Sequence, residues 1–310
     1  MDRTGYSIIE KENLQKNLER LAAQKEIYFQ AKRLFFLQFF LTVIITVLLT
    51  FIGLALSYFG YNIDWFRGTY GIVVALIDLL LLGIFINHLR QKAASIQELF
   101  DCDVLDLEWN KVLVGDKPMI EDIKKYSKKH LARVKSFDKL NNWYAKKIRE
   151  VDGVAAKLIC QRSSFSYDYS IRKSFLYWMV GGSVAIFILL ILIALFTDMR
   201  SRSVVMTIFL PFLPILTFSV KLYNEHTSSI KNLESLRSHI LSLWSAILDG
   251  TATNPETTLR QIQDKIYLNR KNHSLIPERF YDSLRPRFEQ QMNSCVDDLI
   301  EDYKNAQLKA

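Results

Sequence analysis

Side chains able to do chemistry are plentiful in this sequence, but their spacing favours binding over bond-making. The histidines (88, 130, 226, 239, 273) and cysteines (102, 160, 295) form no pairs at zinc spacing. There is no GxxxxGK phosphate loop, no GxSxG, no HExxH and no GxGxxG. Enzyme activity, a metal and a resident cofactor are therefore not expected. Arginines and aromatic rings do gather. Trp143 and Tyr144 are adjacent, and Cys160, Gln161 and Arg162 precede Tyr167, Asp168, Tyr169 and Arg172. Further on, Arg270, Lys271, Arg279, Tyr281, Arg285 and Arg287 mix cations with rings. Guanidinium groups grip phosphates and flat rings stack on bases, so the mixture suits a small nucleotide. Taken singly, most of these residues would be core aromatics and surface charges.

A second candidate is Asp78, alone among apolar residues between Arg67 and Arg90. A carboxylate at mid-membrane costs about 2.5–3.5 kcal/mol on insertion scales, so it must face helices, water or another subunit. Two readings stand equally: a pore or switch residue, or a buried hydrogen bond that holds a bundle. Pro211 and Pro214 lie within the last apolar run and remove backbone donors, which predicts a kink, static or gating. Gly181 and Ala185 form one small-xxx-small pair suited to close helix contact.

These residues need elements to hold them. Leu34–Ile63, Ser174–Thr197 and Ser203–Val220 carry no charge at all. About 20 apolar helical residues cross a bilayer core of roughly 30 Å. Four spans near 34–59, 69–89, 174–197 and 203–222 meet that length, which excludes an ordinary soluble enzyme. Solid apolar runs, without alternation, also argue against a membrane β-barrel. The charged first 33 residues lack the short apolar stretch of a cleaved signal peptide, so the first span is expected to stay as an anchor.

The chain carries a net charge of +8. Segment 90–173 holds 18 Lys or Arg against 12 Asp or Glu. With Lys32 and Arg33 at the first span, the positive-inside rule places both termini and that segment in the cytoplasm. Three widely spaced cysteines fit reduced thiols there. The reading is an all-α membrane protein: four transmembrane helices in two hairpins, with a composite, mainly helical cytoplasmic domain. Its parts are an N-terminal helix (1–33), a first hairpin (34–89), a cytoplasmic insert (90–173), a second hairpin (174–222) and a C-terminal helical region (223–310).

Within the domain, Leu14, Leu18 and Leu21 mark one helix face. Leu105, Leu107 and Trp109 alternate with acids, as in a short strand or extended loop. Pro118 opens a basic helix over 119–134. Its cluster Lys124, Lys125, Lys128, Lys129, Arg133 and Lys135 leaves lipid, nucleic acid and plain solvation open. Lipid proximity or solvation is favoured, because few aromatics interleave. Residues 138–149 and 153–162 read as short helices. Leu233, Leu236, Ile240, Leu243 and Ile247 repeat at 3-4-3-4 spacing, with Gly250 as a stop. Asn254 and Pro255 cap a helix to about Asn272, and Pro277 opens a last one, interrupted by Pro286.

Several short motifs together resemble the SMODS-associated four-transmembrane effector family. They are Ile96-Gln97-Glu98-Leu99-Phe100-Asp101, Leu107-Glu108-Trp109-Asn110, Asn142-Trp143-Tyr144, and Cys160-Gln161-Arg162-Ser163 with Tyr167-Asp168 and Ile171-Arg172. Ile262-Gln263-Asp264-Lys265-Ile266-Tyr267 with Arg270, then Pro277, Phe280-Tyr281 and Arg285, complete the set. Ser164 and Tyr167 stand where the family pattern has Asn and Trp. The resemblance implies an antiphage effector of the CBASS type in the bacterial inner membrane. A partner nucleotidyltransferase makes a cyclic di- or trinucleotide on infection. That nucleotide binds the cytoplasmic domain, and the membrane part then permeabilises the bilayer, which arrests or kills the cell.

In that setting Arg162, Arg172, Arg270 and Arg285 are phosphate candidates, and Trp143 and Tyr144 stacking candidates. Asp78, Pro211 and Pro214 are gating candidates. Gln97, Phe100, Asp101, Trp109, Asn110, Cys160, Gln161, Asp168, Pro277 and Tyr281 are motif residues expected to hold the fold. The expected partners are the lipid bilayer, the cyclic oligonucleotide and further copies of the chain, with no DNA or RNA polymer. The rivals are a constitutive channel or transporter subunit and a membrane-anchored scaffold.

Overall fold

The computed structural model describes residues 4–196 and 210–308, and no strand occurs among them. Helix α1 is Thr4–Glu12. Helix α2 runs Gln15–Tyr58 and α3 runs Asp64–Val104. A short α4 (Lys111–Val114) and α5 (Ile120–Val134) follow. Then come α6 (Gly153–Phe196), α7 (Leu210–Leu248), α8 (Pro255–Asn272) and α9 (Glu278–Gln307). Helices α2, α3 and the Gly153–Ile193 part of α6 are long and apolar enough to cross a membrane. The 198–202 turn and residues 203–209 of the last apolar run lie outside the described residues.

Two large cores and a smaller one around Ile27, Ile96 and Ile123 organise the described residues. The extramembrane core takes Ile8, Leu21, Phe100, Leu158, Leu236 and Leu259 among others, from both chain ends and from the middle segment. The second core packs Phe35, Val43, Leu82, Leu190, Phe212 and Phe218 within the apolar bundle. Outside it, Leu48, Leu79, Ile84, Val184 and Leu195 stay exposed, as lipid-facing residues must. Aromatic rings at Tyr58, Phe59, Tyr61 and Trp65 crowd the α2–α3 turn, while Tyr177 and Trp178 mark the other end of the bundle. Amphipathic rings prefer such interfacial levels.

Local sequence explains the joints. The N-terminal segment is two helices, because the chain breaks at Asn13 and Leu14. Asn13 donates to the Ile9 carbonyl at 2.8 Å. Leu14 is therefore an exposed joint residue, whereas Leu18 and Leu21 are buried. Gly5 is obligatory: a Cβ there would stand 2.0 Å from the Ile148 carbonyl oxygen. Gly250, at φ +66, ends α7 as expected. The buried Leu233, Leu236, Ile240 and Leu243 form the expected seam.

Of the two readings for 105–109, short strand or extended loop, the loop is the one formed, anchored by Trp109 Nε1 donating to the Gly115 carbonyl at 2.9 Å. Other expectations change. The helix begun at 153 does not stop near 162 but continues into the bundle. Between 138 and 150 only two 3-10 turns form, Asp138–Leu140 and Lys146–Glu150. Asn254 precedes α8 in the left-handed region without a side-chain cap. Helix α9 passes through position 286 unbroken. Gly181 and Ala185 are exposed, and Gly181 has nothing packed against it among the described residues.

Candidate functional site

Three polar systems run through this helical frame. The first is a buried node where α3 meets α8. Glu98 and Asp101 stand one turn apart on α3, 0% and 1% exposed. Buried carboxylates need partners, and α8 supplies them one turn at a time. Arg260 donates to Glu98 at 2.6 Å and to the Glu108 carbonyl at 2.7 Å. Gln263 Nε2 bridges Glu98 and Asp101 at 2.8 and 2.9 Å. Arg270 pairs with Asp101. Tyr144 Oη donates to the other Asp101 oxygen at 3.0 Å. Gln161 donates to Gln263 Oε1 at 3.1 Å, and Asn110, the cap of α4, to Asp264 at 2.9 Å. Burial raises the Glu98 carboxyl, with Arg260 opposing. Burial also lifts the Cys102 thiol to about 12 and the Cys160 thiol well above its usual range. Neither thiol is poised as a nucleophile.

The second system is a strap between α8 and α9. Arg172, 2% exposed, donates to Asp168 and to the Ser274 carbonyl, each at 2.8 Å. Arg90 donates to the carbonyls of Lys271 and His273, each at 2.8 Å. Thus two arginines, on helices that enter the apolar bundle, hold one short stretch of backbone. Leu275 of that stretch inserts into the bundle core. Asn269 links Asp168 (3.1 Å) to Ser229 on α7 (2.8 Å). Burial pushes Asp168 up, yet Arg172 and His273 overcome it and hold the carboxyl below the usual range. Burial beside Arg172 keeps His226 neutral, with a pKa of about 3.

The third system lies inside the bundle. Gln38, Thr42, Thr46 and Thr50 repeat every four residues along α2, and all are buried. Gln38 donates to Asp78, and Lys221 approaches Asp78 at 3.9 Å. Both helices carry π-turns beside this contact, Phe40–Ile45 and Asp78–Leu82. Such turns often mark functional positions. At the far end of the stripe, Arg67 pairs with Asp64 and presses on Gly53, with its Nε and Nη1 unpartnered.

The nucleotide-candidate residues do not converge on one cavity. Tyr144, Arg270 and Arg172 spend their polar groups in the node and the strap. Trp143 is half-buried, edge-on to Phe100 and under Lys25. Arg162 points across to Cys295 of α9 at 3.7 Å. Cys295 lines an open groove of 540 Å³ with Arg287, Gln290, Gln291, Ser294 and Asp298. The Arg285 and Pro211 side chains lie outside the described residues. Pro214 sits within α7 and its carbonyl accepts from Thr217 Oγ1 at 3.0 Å.

The motif residues Phe100, Asp101, Cys160 and Gln161 are core, while Gln97 is half-buried. Pro277 precedes α9, whose Tyr281 ring lies under Lys32. Sequence reasoning did not single out Glu98, Arg260, Gln263, Arg90 or His226 as site residues. A signal existed for the first three: polar residues at 98 and 101, and at 260, 263 and 264, fall beside apolar positions of the same helix face.

This architecture defines a helical membrane protein whose extramembrane domain is built directly on its membrane helices. The SMODS-associating 4TM effector domain matches residues 6–299, and the chain belongs to that family. It is similar to a probable CBASS effector molecule of Bacillus cereus (strain VD146). The two are 27% identical over 292 residues, covering 88% of this chain and 92% of that one. No solved structure matches.

Proposed function

We propose that this protein is the membrane effector of a CBASS antiphage system. A cyclic di- or trinucleotide binds its cytoplasmic domain and drives the bundle to permeabilise the inner membrane. One observation carries the reading: α2, α3 and α6 continue without a break from the apolar bundle into the extramembrane domain. A rearrangement of that domain must therefore move membrane helices. The B. cereus relative supports the CBASS context.

The groove along α9 is our proposed entry for the ligand, with Arg162 and Arg287 meeting phosphate. Tyr144, Arg172 and Arg270 are reached only if the ligand displaces their present partners, which would transmit binding to α3 and α6. Ligand binding shifts the equilibrium only by its preference for the active state. The polar stripe from Gln38 to Thr50, with Asp78 and Arg67, is the material for a water-filled path once copies assemble. Co-expression with a CBASS cyclic-oligonucleotide synthase tests the proposal. Membrane potential should collapse and growth stop. Unchanged potential and growth, with normal protein levels, would leave a scaffold or constitutive channel as the better account.

A further inference from the structure

The basic helix α5 has an arrangement that the effector reading does not use. It lies across α2 and α3 where both leave the apolar bundle. Near its start Asp122 pairs with Lys92 of α3 at 2.7 Å. Near its end Arg133 pairs with Glu26 of α2 at 3.0 Å. Ile123 packs among Ala23, Ile27, Ala93 and Ile96 and fixes the helix to that level. The charge-free stretch of α2 begins at Leu34, five residues past Phe29. At 1.5 Å per residue Phe29 lies about 8 Å from this apolar boundary, and on α3 Lys92 lies about 5 Å past Leu89, where the other apolar run ends, so the near flank of α5 stands at the depth of lipid headgroups.

The flank of α5 nearest that boundary is cationic and aromatic. Lys92, Lys125 and Lys129 surround the Tyr126 ring at 5.2, 5.8 and 5.5 Å. Arg133 and Arg33 flank the Phe29 ring at 3.9 and 6.0 Å. Asp122 and Glu26 face these charges and are taken by Lys92 and Arg133, while Glu121 in the first turn makes no ion pair among the described residues. Lys125 and Lys129 are exposed and have no carboxylate partner among the described residues. Lys92 is answered by Asp122, but the Lys125 and Lys129 ammonium groups beside the same ring repel one another unless a further anion sits between them.

We infer that this flank of α5 binds anionic phospholipid headgroups of the leaflet in which the protein sits. The phosphates lie among Lys92, Lys125 and Lys129, with Tyr126 and Phe29 at the interface. Each lysine near an anionic surface is worth roughly fivefold in binding. The site uses none of the groove residues, so it stands whether or not the nucleotide reading does.

The test uses the full chain in nanodiscs of pure phosphatidylcholine or of phosphatidylcholine with phosphatidylglycerol. Amide exchange of Ile120–Val134 is followed by mass spectrometry. Exchange should be slower in the anionic discs, and 0.5 M salt should remove the difference. Lys125→Gln with Lys129→Gln should weaken headgroup binding by roughly 25-fold and largely remove the difference, while Lys139→Gln with Lys146→Gln should leave it unchanged. Equal exchange in both discs, or full protection retained by K125Q/K129Q, overturns the inference. So does protection produced in phosphatidylcholine discs by a short single-stranded oligonucleotide alone.

Discussion

Glu12 offers a sharp test of how the extramembrane core is built. It is 1% exposed at the end of α1. One carboxyl oxygen accepts from the Tyr144 backbone N–H at 2.9 Å, and the other has no partner. Burial raises its pKa from 4.5 to about 8, against a smaller opposing effect of that hydrogen bond. The unfolded chain therefore loses this proton near 4.5, while the folded chain keeps it to about 8. Between those values the folded state binds more protons, so stability falls as pH rises. At 1.36 kcal/mol per pH unit the interval sets a ceiling of about 5 kcal/mol, and about 3–5 kcal/mol is expected. Glu12→Gln keeps an acceptor for Tyr144 and cannot ionise. Tryptophan-fluorescence melting of wild type and variant, across pH 5 to 8.5, reads the difference directly. The variant should melt roughly 10 °C higher at pH 8.5, at about 2–4 °C per kcal/mol, and within a few degrees at pH 5. Buried histidines contribute equally to both proteins and cancel in the comparison. Parallel melting curves over this range would refute the assignment of Glu12 as a buried, protonated acid.

Three further outcomes follow from the packing. Gly5→Ala should undock α1 from the Lys146–Glu150 turn, costing about 1–3 kcal/mol, visible as faster proteolysis of the first helix. Arg270→Met leaves Asp101 buried without its cation and should cost about 3–5 kcal/mol, and adding Asp101→Asn should recover part of that loss in a double-mutant cycle. Leu236→Ala, in the buried seam of α7, should cost about 2–5 kcal/mol, whereas Leu241→Ala, on the exposed face of the same helix, should stay near 0.5 kcal/mol or less.

The membrane helices were legible because an apolar run of sufficient length leaves few alternatives. The α7 seam and the bounds of α8 were legible for a similar reason: strict periodicity and a Pro at the first turn are local signals. What the residues could not give was the company they keep. An arginine reads the same from sequence whether it meets a phosphate or a carboxylate, so the pairing of Arg172 with Asp168 and of Arg270 with Asp101 had no local signal. Glu98 stands in a motif without a role of its own, because a single acid in a helix is ordinarily solvated, and the approach of Arg260 and Gln263 from a distant segment is what makes its burial tolerable. The break at Leu14 depended on Asn13 capturing the Ile9 carbonyl, a choice that a leucine-rich stretch does not announce. Asp78 was legible as an anomaly in its run. Its partner Gln38 was not, since a lone glutamine at a span's start resembles an interface residue.

The central claim is that occupation of the extramembrane domain opens the membrane part. Dye release from proteoliposomes holding the purified full chain measures this most directly, with cyclic di- and trinucleotides from the partner synthase added outside and inside. The account predicts retention of dye without nucleotide and release with it. Arg162→Glu combined with Arg287→Glu should abolish release while leaving the melting temperature unchanged. Dye release that is the same with and without every such nucleotide would contradict the claim.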